Sequence, residues 1–148
     1  MVDLMRRDFI IDGFVFGQTT IEGNDATDSI LQMHQKLKRD DISFVMISGL
    51  IISMYNIVDI KKIWGMLKIP VIGVTYDDSK GIEAAIKYHF PDSYQSKIEE
   101  YHKLGQRTKI RLHTGHDLYI RIEGCTIPET KSLLDTFTLQ GAIPEPLR

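Results

Sequence analysis

Apolar and polar positions alternate in blocks along the chain. The first block, Phe9 to Ile21, reads as a long strand or a bent strand pair, with Asp12-Gly13 as a bulge or turn and Gly17 as a second weak point. Gly23-Asn24-Asp25 then opens a helix. Asn24 is the expected cap, and Asp25 and Asp28 fall in the first turn, where the positive end of the helix dipole favours carboxylates. Ala26, Ile30, His34 and Leu37 recur at helical spacing as its buried stripe, and the cationic run Lys36, Lys38, Arg39 ends it. Next come an apolar strand from Ile42 to Leu50, a helix around Val58 to Leu67 and a strand from Pro70 to Tyr76, a crossover of the length that parallel strands require. After Asp77-Asp78-Ser79 the pattern is helical through His89; Pro91 restarts a helix to Lys103 and Gly105 stops it. Lys109, Arg111 and His113 alternate with Ile110 and Leu112, and Tyr119, Arg121 and Glu123 alternate with Leu118, Ile120 and Ile122. That period of two predicts a hairpin turning at Thr114-Gly115-His116-Asp117, with one apolar and one mostly basic face. A last helix, Pro128 to Leu139, precedes the Pro-rich end. Strands alternating with helices give an α/β fold in one domain over residues 1–148, without internal repeat or interdomain linker.

The stretch from Ile42 to Val58 carries no charge and is the one segment that resembles a membrane span. It is broken by Ser43, Ser48, Gly49, Ser53 and Asn56, and a buried parallel strand running into a turn and a helix accounts for the same letters. Composition agrees with a globular domain: 43% hydrophobic and 26% charged residues among 148, with a formal charge of −2. Near-neutral charge argues against a uniformly basic coat but leaves room for a local basic patch. The single cysteine, Cys125, forms no internal disulfide, and no secretory leader opens the chain, so a cytoplasmic location is expected.

Common catalytic signatures are absent: no phosphate-binding glycine loop, no dinucleotide fingerprint, no serine nucleophile elbow and no cysteine pair for zinc. His113 and His116 have a spacing seen in metal sites, but they flank a hairpin tip, where solvated turn residues are the common case. A group of acids remains, Asp12, Glu22, Asp25 and Asp28, around the junction of a strand and a helix start. Carboxylates converging there would hold magnesium, which takes oxygen ligands and activates water against a phosphodiester. The plainer account is that Asp25 and Asp28 only complement the helix dipole and Glu22 faces solvent.

Four segments carry a resemblance: Thr20-Ile21-Glu22-Gly23-Asn24-Asp25-Ala26-Thr27-Asp28, Tyr55-Asn56-Ile57-Val58-Asp59-Ile60, Ile69-Pro70-Val71-Ile72 and Gly141-Ala142-Ile143-Pro144-Glu145-Pro146-Leu147-Arg148. In this order they resemble the archaeal endonuclease dU family, itself similar to endonuclease V. The resemblance implies a ribonuclease H-like three-layer mixed sheet with helices on both faces and Mg2+- or Mn2+-dependent cutting of DNA near a deaminated base, deoxyuridine, in DNA repair. It further implies Asp25 as the metal-ligating carboxylate with Glu22 or Asp28 in support, and Tyr55 and Asn56 lining a cleft that stacks or probes a base. Asp59 is the expected cap of the following helix. Two departures stand out. Where many relatives have an aspartate before a glycine, this chain has Ser48, which brings no charge to a metal. Aligned backwards from Asp28, Met1 to Met5 falls on the family's second strand, so the first strand has no counterpart and the chain is expected to be shorter than the family at both ends.

An alternative from a different class is a nucleic-acid-binding or assembly module without catalysis. Lys109, Arg111 and Arg121 would contact phosphates, and a missing strand would be supplied by a partner subunit in a homo-oligomer. Trp64, spaced with Ile60, Ile63 and Leu67, is expected to pack in the core.

Overall fold

A computed structural model describes residues 1–78 and 81–148. Strands β1 (Val2–Met5) and β2 (Ile11–Val15) pair antiparallel as a hairpin that is a sheet of its own. Helix α1 (Ala26–Leu37) leads to β3 (Val45–Ser48), and two-residue strands β4 (Ile51–Ile52) and β5 (Asn56–Ile57) form a small ladder. Helix α2 (Ile60–Leu67), β6 (Val71–Thr75), α3 (Glu83–His89), α4 (Tyr94–Lys103), β7 (Thr108–Arg111), β8 (Asp117–Glu123), α5 (Ile127–Phe137) and a 3₁₀ turn over Glu145–Leu147 complete the chain. The main sheet has the order β3-β6-β8-β7, with β3 and β6 parallel and the other neighbours antiparallel.

The expected α/β class holds, with a mixed sheet between helices. Along β6 the side chains divide by parity. Val71 joins α1 and α2 residues Ala26, Ile60 and Ile63 in one core, while Ile72 and Val74 join Ile110, Leu118, Ile120 and Leu134 of β7, β8 and α5 in the other. This two-sided burial explains the continuous apolar reading of the crossover strands. Gly73 lies at the centre of β6 because Leu50 presses on it: a β-carbon there would stand 2.7 Å from the leucine Cγ.

Several elements differ from expectation at their ends. The predicted strand over Phe9 to Ile21 is regular only over Ile11–Val15. The uncharged stretch 42–58 divides into β3, β4 and β5 and contains no helix, which removes the membrane reading for this segment; among the described residues no helix is long and apolar enough to cross a membrane. The turn expected at Asp77-Asp78-Ser79 lies partly outside the described residues. The N-cap of α1 is Asp25, not Asn24, and the Asp25 side chain makes no capping bond. At α2 the expectation holds, since Asp59 Oδ1 accepts from the Lys62 backbone N–H at 3.1 Å. Helix α5 starts in a full capping box of Thr126 and Glu129. Trp64 packs against the first core with Leu67, as its spacing predicts.

Candidate functional site

Asp25 sits in a cradle of donors. Its Oδ1 accepts from the Thr20 backbone N–H at 2.9 Å and from Asn56 Nδ2 at 2.8 Å, and its Oδ2 accepts from the Thr20 hydroxyl at 2.6 Å. Hydrogen bonds to the charged form favour it. The Thr20 hydroxyl first, then the Thr20 amide and the Asn56 amide, hold this carboxyl down at about 2. The group is therefore ionised across the physiological range.

Asn56 is the hub of the arrangement. Fully buried on β5, it turns Oδ1 to the Ala26 N–H at 3.0 Å and gives Nδ2 to both Asp25 and the Thr20 carbonyl, the latter at 3.0 Å. One side chain thus caps α1 from a distant strand, in place of the expected Asn24, and orients the carboxylate. The Thr27 hydroxyl, one helical position further, accepts from the Asp59 N–H and ties the start of α1 to the start of α2.

The loop before α1 and the turn between β4 and β5 are laced together. The Glu22 N–H donates to the Ser53 carbonyl at 2.8 Å, and the Thr19 and Ser53 hydroxyls are 2.5 Å apart. Lys97 of α4, only 4% exposed, donates from Nζ to the Gly23 carbonyl at 2.6 Å and the Tyr55 carbonyl at 2.9 Å. Its burial pulls the ammonium below the ordinary lysine range. The turn itself is unusual: Ser53, Met54 and Tyr55 follow one another at φ of 45°, 57° and 67°. Three consecutive non-glycine residues in this region cost about 1–2 kcal/mol each, so the surrounding bonds hold a strained backbone in place. The Tyr55 ring lies 5.0 Å from His89 and 6.2 Å from Phe90, centre to centre.

Asp25 opens on a groove of about 520 Å³ between the segment after β2 and one face of α1, lined also by Phe16, Thr20, Ser29, Gln32 and Lys36. The other acids do not join it. Asp12 pairs with Arg39 at 3.0 Å, Asp28 pairs with Lys62 at 3.1 Å, and Glu22 is exposed. Among the described residues no three His, Cys, Asp or Glu side chains gather as a metal would require. Ser48, at the end of β3, is exposed and carries no charge.

The basic face of the β7–β8 hairpin is partly neutralised. Arg111 and Lys109 flank Asp117 at 3.0 Å and 3.5 Å, and half-buried Arg121 donates from Nε to the Gly105 carbonyl at 3.0 Å. Arg107 lies over the Tyr119 ring, 4.9 Å from its centre. His113 is anchored to α5, with Nε2 2.7 Å from the Thr138 carbonyl and its backbone N–H donating to Asp135.

Lys97 and the Thr20 donors carry no motif. Lys97 does share the inward stripe of α4 with Tyr101 and Leu104, at spacings of four and seven. A lysine on such a stripe is the one signal that marked it.

Comparisons with known proteins agree over nearly the whole chain. A UPF0215 protein of Pyrobaculum calidifontis is 29% identical over 144 residues, 97% of this chain and 79% of the relative. One from Pyrobaculum aerophilum is 33% identical over 97% of this chain and 76% of its own length, and one from Methanosarcina barkeri is 34% identical over 93% and 71%. The crystal structure of a protein of unknown function from Archaeoglobus fulgidus superposes with a TM-score of 0.78 at 26% identity, over 93% of this chain and 77% of that one. The Endonuclease dU family model matches residues 3–148, and the chain belongs to that family.

Proposed function

We propose that this chain acts on DNA as an endonuclease of the deaminated-base type, with deoxyuridine as its lesion, Asp25 as its central carboxylate and a ribonuclease H-like ancestry for its sheet. The observation that carries this reading is the family match over residues 3–148. The geometry is compatible with it. Asp25 is ionised at neutral pH, is held by three donors from Thr20 and Asn56, and opens on a groove that Lys36 also lines.

A divalent ion belongs to this reading as the agent that would activate water. The described residues do not fit such an ion by themselves. Asp25 is a lone carboxylate, Asp28 and Asp12 are committed to Lys62 and Arg39, and Ser48 brings no charge. That same absence of converging carboxylates favours a second reading, a DNA-binding module without cleavage, in which Lys109, Arg111 and Arg121 contact phosphates.

One experiment separates the two. Labelled duplex with a single deoxyuridine is incubated with the protein, with and without Mg2+ or Mn2+, and nicking and binding are both followed. The endonuclease reading expects nicking that Asp25→Asn abolishes while the variant still melts cooperatively, and the arms with and without metal read whether an ion is required. Tight, salt-sensitive binding without nicking supports the module, and neither nicking nor binding overturns both.

A further inference from the structure

Lys97 is the one charged side chain buried among the described residues, and it stands in the middle of α4 without a counter-ion. The ion pairs that lysines make among the described residues belong to Lys62, Lys109 and Lys131. Its Nζ meets instead the Gly23 carbonyl at 2.6 Å, the Tyr55 carbonyl at 2.9 Å and, at 5.7 Å, the Phe90 ring. Neutral oxygens and a ring occupy the protons without matching the charge, and an ammonium taken out of water without an opposite charge lowers stability. Methionine would fill the slot without that loss. Stability of the fold therefore does not account for a lysine at this position.

The place of the two carbonyls does account for it. Gly23 stands two residues before Asp25 and Tyr55 one before Asn56, so a single ammonium ties together the two segments that build the donor cradle. Both segments carry left-handed backbone, at Glu22 with φ 59° and over Ser53 to Tyr55, which local preference does not hold. Lys97 is not among the groove's described lining residues, so it acts from behind the site. We infer that Lys97 is a positioning residue for Asp25, a clamp that keeps the Gly23 loop and the Tyr55 turn in register so that Thr20 and Asn56 converge on the carboxylate. Its bearing on catalysis rests on the reading of Asp25 as the central carboxylate, whereas the clamp itself is measurable without substrate.

The test is Lys97→Met, followed by thermal melting and by amide hydrogen exchange at residue resolution. Two amides report the clamped segments: Ala26, which donates to Asn56 Oδ1, and Glu22, which donates to the Ser53 carbonyl. Thr130, bonded to the Thr126 carbonyl in α5, is the remote reference. The variant is expected to melt at or above the parent temperature while Ala26 and Glu22 exchange about 5- to 100-fold faster and Thr130 keeps the parent rate. Failure to fold, a lower melting temperature with all three amides accelerated alike, or parent-like exchange at Ala26 and Glu22 overturns the clamp. Nicking of the deoxyuridine duplex is scored separately, with a fall in kcat at unchanged KM expected of the variant. If the parent does not nick while the exchange follows Lys97, the nuclease reading fails and the clamp stands; if the parent nicks and the variant matches it in both kcat and exchange, the clamp alone fails.

Discussion

Replacing Asn56 with alanine tests whether one buried amide holds the site together. The side chain is fully buried and makes three hydrogen bonds, to the Ala26 N–H, the Thr20 carbonyl and Asp25. Ala26 is itself wholly buried, so its N–H is left without a partner at a cost of about 1–3 kcal/mol. The void left by the amide brings the total to about 2–4 kcal/mol. For a chain of this size that corresponds to a fall in melting temperature of roughly 4–16 °C. Urea denaturation read by circular dichroism measures the loss, with an unchanged m-value as evidence that only stability moved. Carboxyl NMR supplies an independent readout: Asp25 loses one of its donors, so its titration moves upward from about 2. A variant that loses less than about 1 kcal/mol with the Asp25 titration unmoved refutes the role of Asn56 as hub.

Three further outcomes follow from the same structure. Asp25 has a carboxyl held well below its unfolded value, so it contributes stability above about pH 4 that is lost as pH falls toward 2. Asp25→Asn is expected to flatten that part of the acid limb in a pH series of melts. Asn56→Asp sets a second carboxyl beside Asp25, so the variant is expected to be less stable at pH 7 than at pH 4, opposite in slope to the parent. Gly124→Ala forces a side chain at φ +82° and puts its β-carbon 2.5 Å from Trp64, with an expected loss of about 2–4 kcal/mol. Trp64 is the only tryptophan, and a shift of its emission marks the same clash.

Where each element's signal is local, the fold was readable. The crossover from β3 through α2 to β6 shows its uninterrupted apolar letters, β7 and β8 show strict alternation, and Asp59 caps α2 from the position its chemistry suggests. The site was less legible because its partners lie far apart in the chain. Asp25 is recognisable as a helix-start carboxylate, but the residue that caps α1 is Asn56, thirty positions on, and the cation that braces both loops is Lys97, 74 positions from the Gly23 carbonyl it binds. No spacing rule links them, since each bond is made only after the β4–β5 ladder and α4 have docked. The grouping of Asp12, Glu22, Asp25 and Asp28 fails for a related reason. Asp25 is the N-cap, outside the helical turn, and its carboxylate is turned back onto Thr20 and Asn56, whereas Asp28 lies within α1 and meets Lys62 of α2.

The outer side of β3 supplies the last prediction. Val45 and Gly49 donate their N–H groups to β6, to the carbonyls of Pro70 and Val74, and the two-residue period directs Met46 and Ser48 the other way. Among the described residues the sheet ends on that side and β1 pairs only with β2; the 3₁₀ turn over Glu145–Leu147 packs against both β1 and β3. Edge strands are usually blunted by charge or proline, whereas β3 reads Val-Met-Ile-Ser and packs both its faces into the two cores. Hydrogen exchange at residue resolution is expected to show a comb, with Val45 and Ile47 protected and Met46 and Ser48 exchanging faster by the difference between a bonded and an open amide. If Met46 and Ser48 prove as protected as Ile47 in dilute solution, the strand is not an edge and the order β3-β6-β8-β7 is incomplete. If that protection appears only at high protein concentration, a second copy covers it.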